Sequence, residues 1–349
     1  MTLHDIAVLV IRIPSRPCTS GKEGRSVDPG RIESDITILK MRQSMRDLIT
    51  PGNAKLMTVI AMTLFGTLGL FSRFVDLPAS VIVISRGFLG AGFLLVIVYI
   101  LRDRLSRDDI ASNLFTLVLS GACLGANWLF LFEAYKSIEI SIATVLNYMT
   151  PVIIILISPL VFKTRITPVK LVCALVAIVG LVLVTGILDG KSLEANSYGL
   201  TCGIMAAVFY TGLIVFNKKL KSIGAFDRTF MQLLIAAIVV LVYSLFTVDY
   251  DSLTLDAQTA VLLLVMALFP TAIAFTLYFG SLAYLDASTS AIYTYIEPVL
   301  GIILGVVFLG EDLGVFGWIG AALILGSTLM CELLEQRKAK MAEETEGHP

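Results

Sequence analysis

Ionisable side chains inside long apolar stretches are the first place to look for chemistry. Each costs about 2.5–3.5 kcal/mol to insert into a bilayer and so needs a reason. Glu297 lies within an apolar run, directly before Pro298. Proline has no N–H and frees the carbonyl one turn back, so a carboxyl there sits beside open backbone acceptors and is placed to exchange a proton. The plainer reading is a glutamic acid hydrogen-bonded to a neighbouring helix. Arg86, near the start of another run, can hold an anionic group such as a carboxylate; equally, it can satisfy helix carbonyls or snorkel outward. Glu133 precedes Lys136 by three residues, the spacing of an ordinary ion pair on a helix surface, and that pair is the expectation.

Polar and aromatic residues extend the set. Thr144, Asn147 and Tyr148 recur at helical spacing in one segment, and Ser290, Tyr293, Thr294 and Glu297 do so in another. Interhelical hydrogen bonds worth about 0.6 kcal/mol explain any one of them; a stripe of them is better explained by a cavity. The expected substrate-binding set is Arg86, Asn127, Trp128, Asn147, Tyr148, Tyr210, Tyr293 and Thr294. Glu297 is the expected proton-coupling group, and Pro151 and Pro298 shape their helices. Other chemistries lack residues. The two histidines, His4 and His348, lie in the tails, and the five cysteines have neither metal-ligand nor redox spacing. Gly186–Ser192 resembles a phosphate loop but has three residues between its glycines where the motif needs four. No cofactor, metal or nucleic acid is expected.

These residues sit in a chain that only a bilayer suits. Hydrophobic residues make up 57% of the 349 and charged ones 15%, against roughly a quarter charged in soluble domains. The apolar residues are bunched into runs, and a bilayer core needs roughly 20 per helix. Ten spans are predicted: 55–72, 79–101, 111–135, 141–162, 168–187, 198–217, 229–248, 259–283, 288–309 and 314–334. Residues 1–54 form a polar extension read as disordered, with an amphipathic stretch near Ile38–Leu48 or a true start at Met41 or Met45. Residues 335–349 read as a charged cytoplasmic tail.

Lys and Arg set the orientation. With the N-terminus cytoplasmic, inner loops hold Arg102, Arg104, Arg107, Lys163, Arg165, Lys170, Lys218, Lys219, Lys221 and Arg228. Outer loops hold Arg73, Lys136 and Lys191. Both termini are therefore expected inside.

An internal repeat organises the spans. Pro151 and Pro298 stand 147 residues apart, and the same offset brings Phe132 onto Phe279, Ser141 onto Ser288, Tyr148 onto Tyr295 and Ala174 onto Ala321. Each copy holds five spans, 55–187 and 198–334, with the proline in the fourth. Five is odd, so the second copy enters the membrane upside down, as in many secondary transporters. The charges agree: Lys163-Thr164-Arg165 in copy one becomes Gly310-Glu311-Asp312 in copy two. The expected class is an all-α integral membrane protein of about ten transmembrane helices in two inverted five-helix repeats.

The ordered motifs carry a resemblance. They are Phe65-Gly66-Thr67, Arg86, Phe132-Glu133-Ala134, Ser141 to Pro151, Phe279-Gly280-Ser281, Ser288 to Pro298, and Phe308-Leu309-Gly310-Glu311-Asp312-Leu313. Over roughly residues 55–334 the chain resembles the EamA-type branch of the drug/metabolite transporter superfamily. Thr164 departs from the family's acidic residue after the fourth span, as does the long N-terminal extension. The resemblance implies a secondary transporter of the plasma (inner) membrane that needs no ATP. It would bind substrate between the repeats, commonly exporting amino acids or related metabolites. The implied partners are the lipid bilayer, a small-molecule substrate, and a proton or other coupling ion. Within the superfamily a nucleotide-sugar or phosphometabolite carrier is the alternative, and outside it a channel or receptor; an intramembrane enzyme lacks a catalytic cluster.

Overall fold

A computed structural model describes residues 50–346 apart from 103–104, 162, 164–166, 186–192, 283 and 286. Expectations for residues 1–49, for Thr164 and Arg165, for Gly186–Ser192 and for Asp286 lie outside the described residues. In lipid every backbone polar group has to be paired within the protein, which helices do segment by segment. The described residues accordingly form helix after helix.

The spans are α1 (Ala54–Arg73), α2 (Ala79–Arg102), α3 (Leu114–Ser137), α4 (Ile140–Val161) and α5 (Pro168–Val184). The second set is α6 (Leu193–Asn217), α7 (Ala225–Thr247), α8 (Ala257–Leu282), α9 (Ala287–Thr294, then Ile296–Leu309) and α10 (Gly314–Glu346). Nine have membrane-spanning length and apolarity, and α5 is a shorter apolar helix.

Several boundaries differ from expectation. Residues Arg107–Ser112 form a separate short helix that ends before α3 begins. The α7 helix starts at Ala225, so Arg228 belongs to its first turn and not to a loop. The α10 helix continues through the expected tail to Glu346. Both α4 and α9 are broken just before their prolines, at Asn147/Thr150 and Thr294/Ile296.

Helix pairing follows the repeat. Exchanging the copies swaps α1 with α6, α2 with α7, α3 with α8, α4 with α9 and α5 with α10. Under that exchange the pairs α2–α7, α4–α9 and α5–α10 map onto themselves, and all three are packed. The α3–α6 contact maps onto α8–α1, and α3–α7 onto α8–α2; both partners of each are present. The glycine pairs serve this packing. Gly121 and Gly125 meet Ile235 and Ala236, Gly199 and Gly203 meet Ile138 and Leu146, and Gly301 and Gly305 face Thr144 and Ser141.

Candidate functional site

The two broken helices meet at the centre of the bundle. In α4, Pro151 leaves the Asn147 carbonyl without its helical partner. Thr150 supplies one from the same repeat, its Oγ1 donating to the Asn147 oxygen at 2.8 Å, with the Ala207 oxygen at 3.3 Å. In α9, Pro298 leaves the Thr294 carbonyl open in the same way. Here the donor comes from the other repeat: Tyr148 Oη lies 3.2 Å from the Thr294 oxygen. The same hydroxyl lies 3.2 Å from Glu297 Oε2. One hydroxyl proton thus faces two acceptors, a backbone carbonyl freed by proline and a carboxyl group. Gly66 of α1 permits this crowding, since a Cβ there would stand 2.9 Å from the Glu297 backbone oxygen.

Around Glu297 the helices collect tyrosines. Tyr135, Tyr148, Tyr210 and Tyr278, from four different helices, all lie within electrostatic reach of its carboxyl. Tyr210 shares the inward stripe of α6 with buried Gly203, Ala206 and Ala207, yet is 38% exposed. Its exposure is therefore to a space between helices, not to the outer surface. Tyr135 Oη pairs with Thr144 Oγ1 at 3.3 Å, Tyr278 shares a hydrogen bond with Ser290, and Tyr295 packs on Tyr148 at 6.2 Å between ring centroids.

Arg86 faces the same cluster from α2. It is only 2% exposed, so it does not snorkel. Its guanidinium lies 3.9 Å from the Trp128 ring centroid and 5.3 Å from that of Phe132. A desolvated cation–π contact is worth about 2 kcal/mol or more, enough to offset most of an insertion cost of about 2.5–3.5 kcal/mol. Its Nε donates to Thr271 Oγ1 at 3.2 Å. Thr271 owes its position to a π-helical turn at Leu268–Ile273, centred on Pro270. Glu297 lies within electrostatic range of Arg86. One cation and one carboxyl group, from opposite repeats, thus lie within reach of each other in the bundle.

The other expected residues fall elsewhere. Asn127 Nδ2 donates to Asn147 Oδ1 at 3.0 Å and to the Ala206 oxygen at 2.9 Å, tying α3, α4 and α6 together. Thr294 contributes its backbone carbonyl to the Tyr148 contact. Tyr293 is half-buried on the same short helix and makes none of the cluster's contacts among the described residues. Glu133 accepts from Tyr198 Oη at 3.3 Å and Lys136 donates to the Leu77 carbonyl, while the two remain electrostatic neighbours, as their spacing predicts. Tyr135, Thr271 and Tyr278 were not anticipated. For Thr271 the signal was Pro270 in an apolar run. The two tyrosines gave none, because their equivalents in the other repeat are Leu282 and Leu131.

A second feature joins the repeats at one end of α4. Glu311, after α9, accepts from the Ile140 N–H at 2.6 Å, the Ser141 N–H at 3.0 Å and Ser141 Oγ at 2.6 Å. A carboxylate thereby caps the open N–H groups of α4 from the opposite repeat, where the helix dipole favours negative charge. Gly310 makes the approach possible with φ of 65°, and any side chain at Gly305 would overlap the Glu311 carboxyl. At the same end Arg73 Nη2 donates to the Ile138 oxygen at 2.7 Å. Among the described residues no three His, Cys, Asp or Glu side chains gather as a metal site.

Comparison with known proteins fits this geometry. The model of the EamA-like transporter family matches twice, over residues 53–186 and 197–332. The uncharacterized transporter YxxF of Bacillus subtilis (strain 168) is 24% identical over 292 residues, covering 82% of this chain and 91% of its own. An uncharacterized transporter of Archaeoglobus fulgidus is 27% identical over 273 residues, covering 78% and 93%. The uncharacterized inner membrane transporter YicL of Salmonella typhimurium is 24% identical over 299 residues, covering 81% and 96%. One crystal structure matches with a TM-score of 0.57 at 19% identity, covering 82% of this chain and 99% of that one, a likeness of fold. Two matched copies filling most of the chain, each with five helices and one proline break, place it in the EamA-like transporter family, as a multi-pass membrane transporter and not an enzyme.

Proposed function

We propose that the protein exports amino acids or related zwitterions across the inner membrane by alternating access, with both termini cytoplasmic. The observation that carries this reading is that Arg86 and Glu297, from opposite repeats, lie within electrostatic range of each other among a group of tyrosines. A carboxylate suits the guanidinium, an ammonium suits the carboxylate, and the phenol rings accept an apolar body. A phosphometabolite would want a more basic cavity, whereas Arg86 is already stacked on Trp128 and balanced by Glu297.

Coupling follows from the shared proton of Tyr148. With Glu297 ionised, the Tyr148 hydroxyl donates to the carboxylate, and the Thr294 carbonyl gives up its contact with that hydroxyl. With Glu297 protonated, its own O–H donates to Tyr148 Oη, and the tyrosine proton turns to the Thr294 carbonyl. Protonation thus tightens the break in α9, and a bound ammonium group or a proton competes for the same carboxyl. The Glu311 clasp and the Arg73–Ile138 bond, on the side where Lys and Arg are scarce, fit a state closed to the outside.

The test is counter-transport. Proteoliposomes preloaded with an amino acid should take up labelled amino acid faster than empty ones. Folded protein that shows no exchange across a broad amino-acid and metabolite panel would overturn the carrier reading and leave a channel or receptor.

A further inference from the structure

The repeat pairs α3 with α6 and α8 with α1, yet the two seams are held by different means. On α3, Asn113, Ser120 and Asn127 recur every seven residues and so share one face. Asn113 Nδ2 donates to the Lys221 oxygen at 2.8 Å, and the Lys221 N–H returns to Asn113 Oδ1 at 2.9 Å. Gln232 of α7 bridges Ser120 Oγ at 2.9 Å and Asn217 Oδ1 at 2.5 Å. Asn127 reaches the Ala206 oxygen, and Tyr198 reaches Glu133. Hydrogen bonds thus fasten α3 to α6, directly or through α7, from one end to the other, each worth about 0.5–1.5 kcal/mol.

The second copy lacks these groups. At the 147-residue offset, Asn113, Ser120, Asn127 and Glu133 become Ala260, Ala267, Ala274 and Gly280. Ala61 and Met62 of α1 instead form, with Leu277 of α8, an apolar cluster separate from the main core. Phe65 adds edge-on contacts with Phe275 at 5.0 Å and Tyr278 at 6.5 Å. Thr58, Thr67 and Ser72 turn their hydroxyls onto carbonyls of α1 itself. Among the described residues no hydrogen bond joins α1 to α8. Apolar attraction is non-directional, so such a seam tolerates a shift that a hydrogen-bonded seam resists.

Each side of the weak seam is fixed elsewhere. Helix α1 lies against the second half of α9, where a Cβ on Gly66 would stand 2.9 Å from the Glu297 oxygen and 3.1 Å from Leu300. Helix α8 is bound to α2 by the Arg86–Thr271 hydrogen bond and by Gly90, whose Cβ would stand 2.7 Å from Thr271. The Tyr278–Ser290 hydrogen bond holds the first half of α9 to α8, which leaves the break at Thr294/Ile296 as the hinge. Arg73, ending α1, and Glu311, following α9, grip the same turn between α3 and α4.

We infer that α1 and the second half of α9 move as one unit, sliding along the apolar α1–α8 seam, against a frame in which α3 and α6 stay joined. The unit carries Glu297, and Tyr148, Arg73 and Glu311 make its links across to the frame. The motion serves transport on the carrier reading but is measurable without it.

In a protein whose one remaining native cysteine is Cys123, Gly212→Cys supplies a partner across α3–α6. Its Cβ would stand 3.8 Å from the Cys123 Cβ, within the disulfide range of about 3.5–4.5 Å. Oxidation, followed by mass spectrometry, is expected to leave exchange of a labelled L-amino-acid mixture within about twofold of the reduced protein. Loss on oxidation with recovery on reduction would overturn the frame. Nitroxide pairs on a cysteine-free protein read the motion itself, at the exposed positions Leu56 and Val261 across α1–α8 and Phe115 and Val208 across α3–α6. Pulsed dipolar spectroscopy should give two distances or one broad distribution for the first pair and a single narrow one for the second. Equal widths for the two pairs would overturn the inference, whether or not the protein exchanges amino acids. A reduced protein that exchanges nothing would count against the carrier reading alone, and the label distances would still decide the motion.

Discussion

The breaks in α4 and α9 stand 147 residues apart and share a tyrosine three residues before a proline, yet they are completed differently. In α4 the carbonyl freed by Pro151 is met by Thr150, a neighbour in the same chain segment, and the hydroxyl is buried. In α9 the carbonyl freed by Pro298 depends on Tyr148 from the other repeat, and the position of Thr150 is taken by Glu297. The first break is met from within its own repeat, by a hydroxyl that also lies 3.3 Å from the Ala207 oxygen of the other. The second is reached across the boundary between the repeats, by a hydroxyl that also touches a carboxyl group. The copies share the bend, and where the first has Thr150 the second has Glu297, the group proposed to make its break responsive.

The same inequality appears at the ends. Glu311 clasps the start of α4, whereas its equivalent is Thr164, which carries no charge. The side bearing the clasp is thus tied by a carboxyl group on backbone N–H groups.

Substitutions can break or sharpen this comparison. The largest effect is expected from Arg86→Ala, which removes the charge facing Glu297 and strips Trp128 of its cation. The KM for carboxylate-bearing substrates should rise about 100-fold, in line with loss of a charged hydrogen bond of about 1.5–3 kcal/mol. Neutral amides should change far less; equal changes would make Arg86 structural. Next, Tyr148→Phe should cut exchange about tenfold, because the Thr294 carbonyl and Glu297 both lose their donor, at about 1–3 kcal/mol. Initial rates in proteoliposomes measure this. Glu311→Ala should lower exchange several-fold, with Glu311→Gln milder, and should open the outer end to a thiol reagent directed at Ser141→Cys. The smallest change is expected from Thr150→Ala. It should cost about 1 kcal/mol of thermal stability and leave transport within about twofold. If Thr150→Ala impaired transport as much as Tyr148→Phe, the two breaks would be equivalent and the asymmetry meaningless.

Much of this was legible from the chain. Apolar runs gave the spans, because backbone pairing in lipid leaves little choice of structure, and the Pro151/Pro298 offset gave the repeat. Glu297 and Arg86 were visible because charge at membrane depth is costly. What pattern could not give was direction. Asn127 and Asn147, expected as substrate ligands, are hydrogen-bonded to each other, a partnership that sequence could not show because an amide fills either role equally well. Tyr135 and Tyr278 gave no signal, because a tyrosine in an apolar run does not reveal which helix it will face. Arg228 was counted as a loop cation because the start of α7 lies four residues before the apolar run was read to begin. The π-turn that aims Thr271 at Arg86 was hidden in a proline that also reads as a simple kink.

The central claim is that the responsive break lies in the second repeat, at Glu297. The direct measurement is the pH dependence of amino-acid exchange in proteoliposomes for the wild type, Glu297→Gln and Thr150→Ala. The account predicts that Glu297→Gln still exchanges substrate but at a rate independent of pH, while Thr150→Ala keeps the wild-type profile. A Glu297→Gln variant whose exchange follows pH as the wild type does would contradict it.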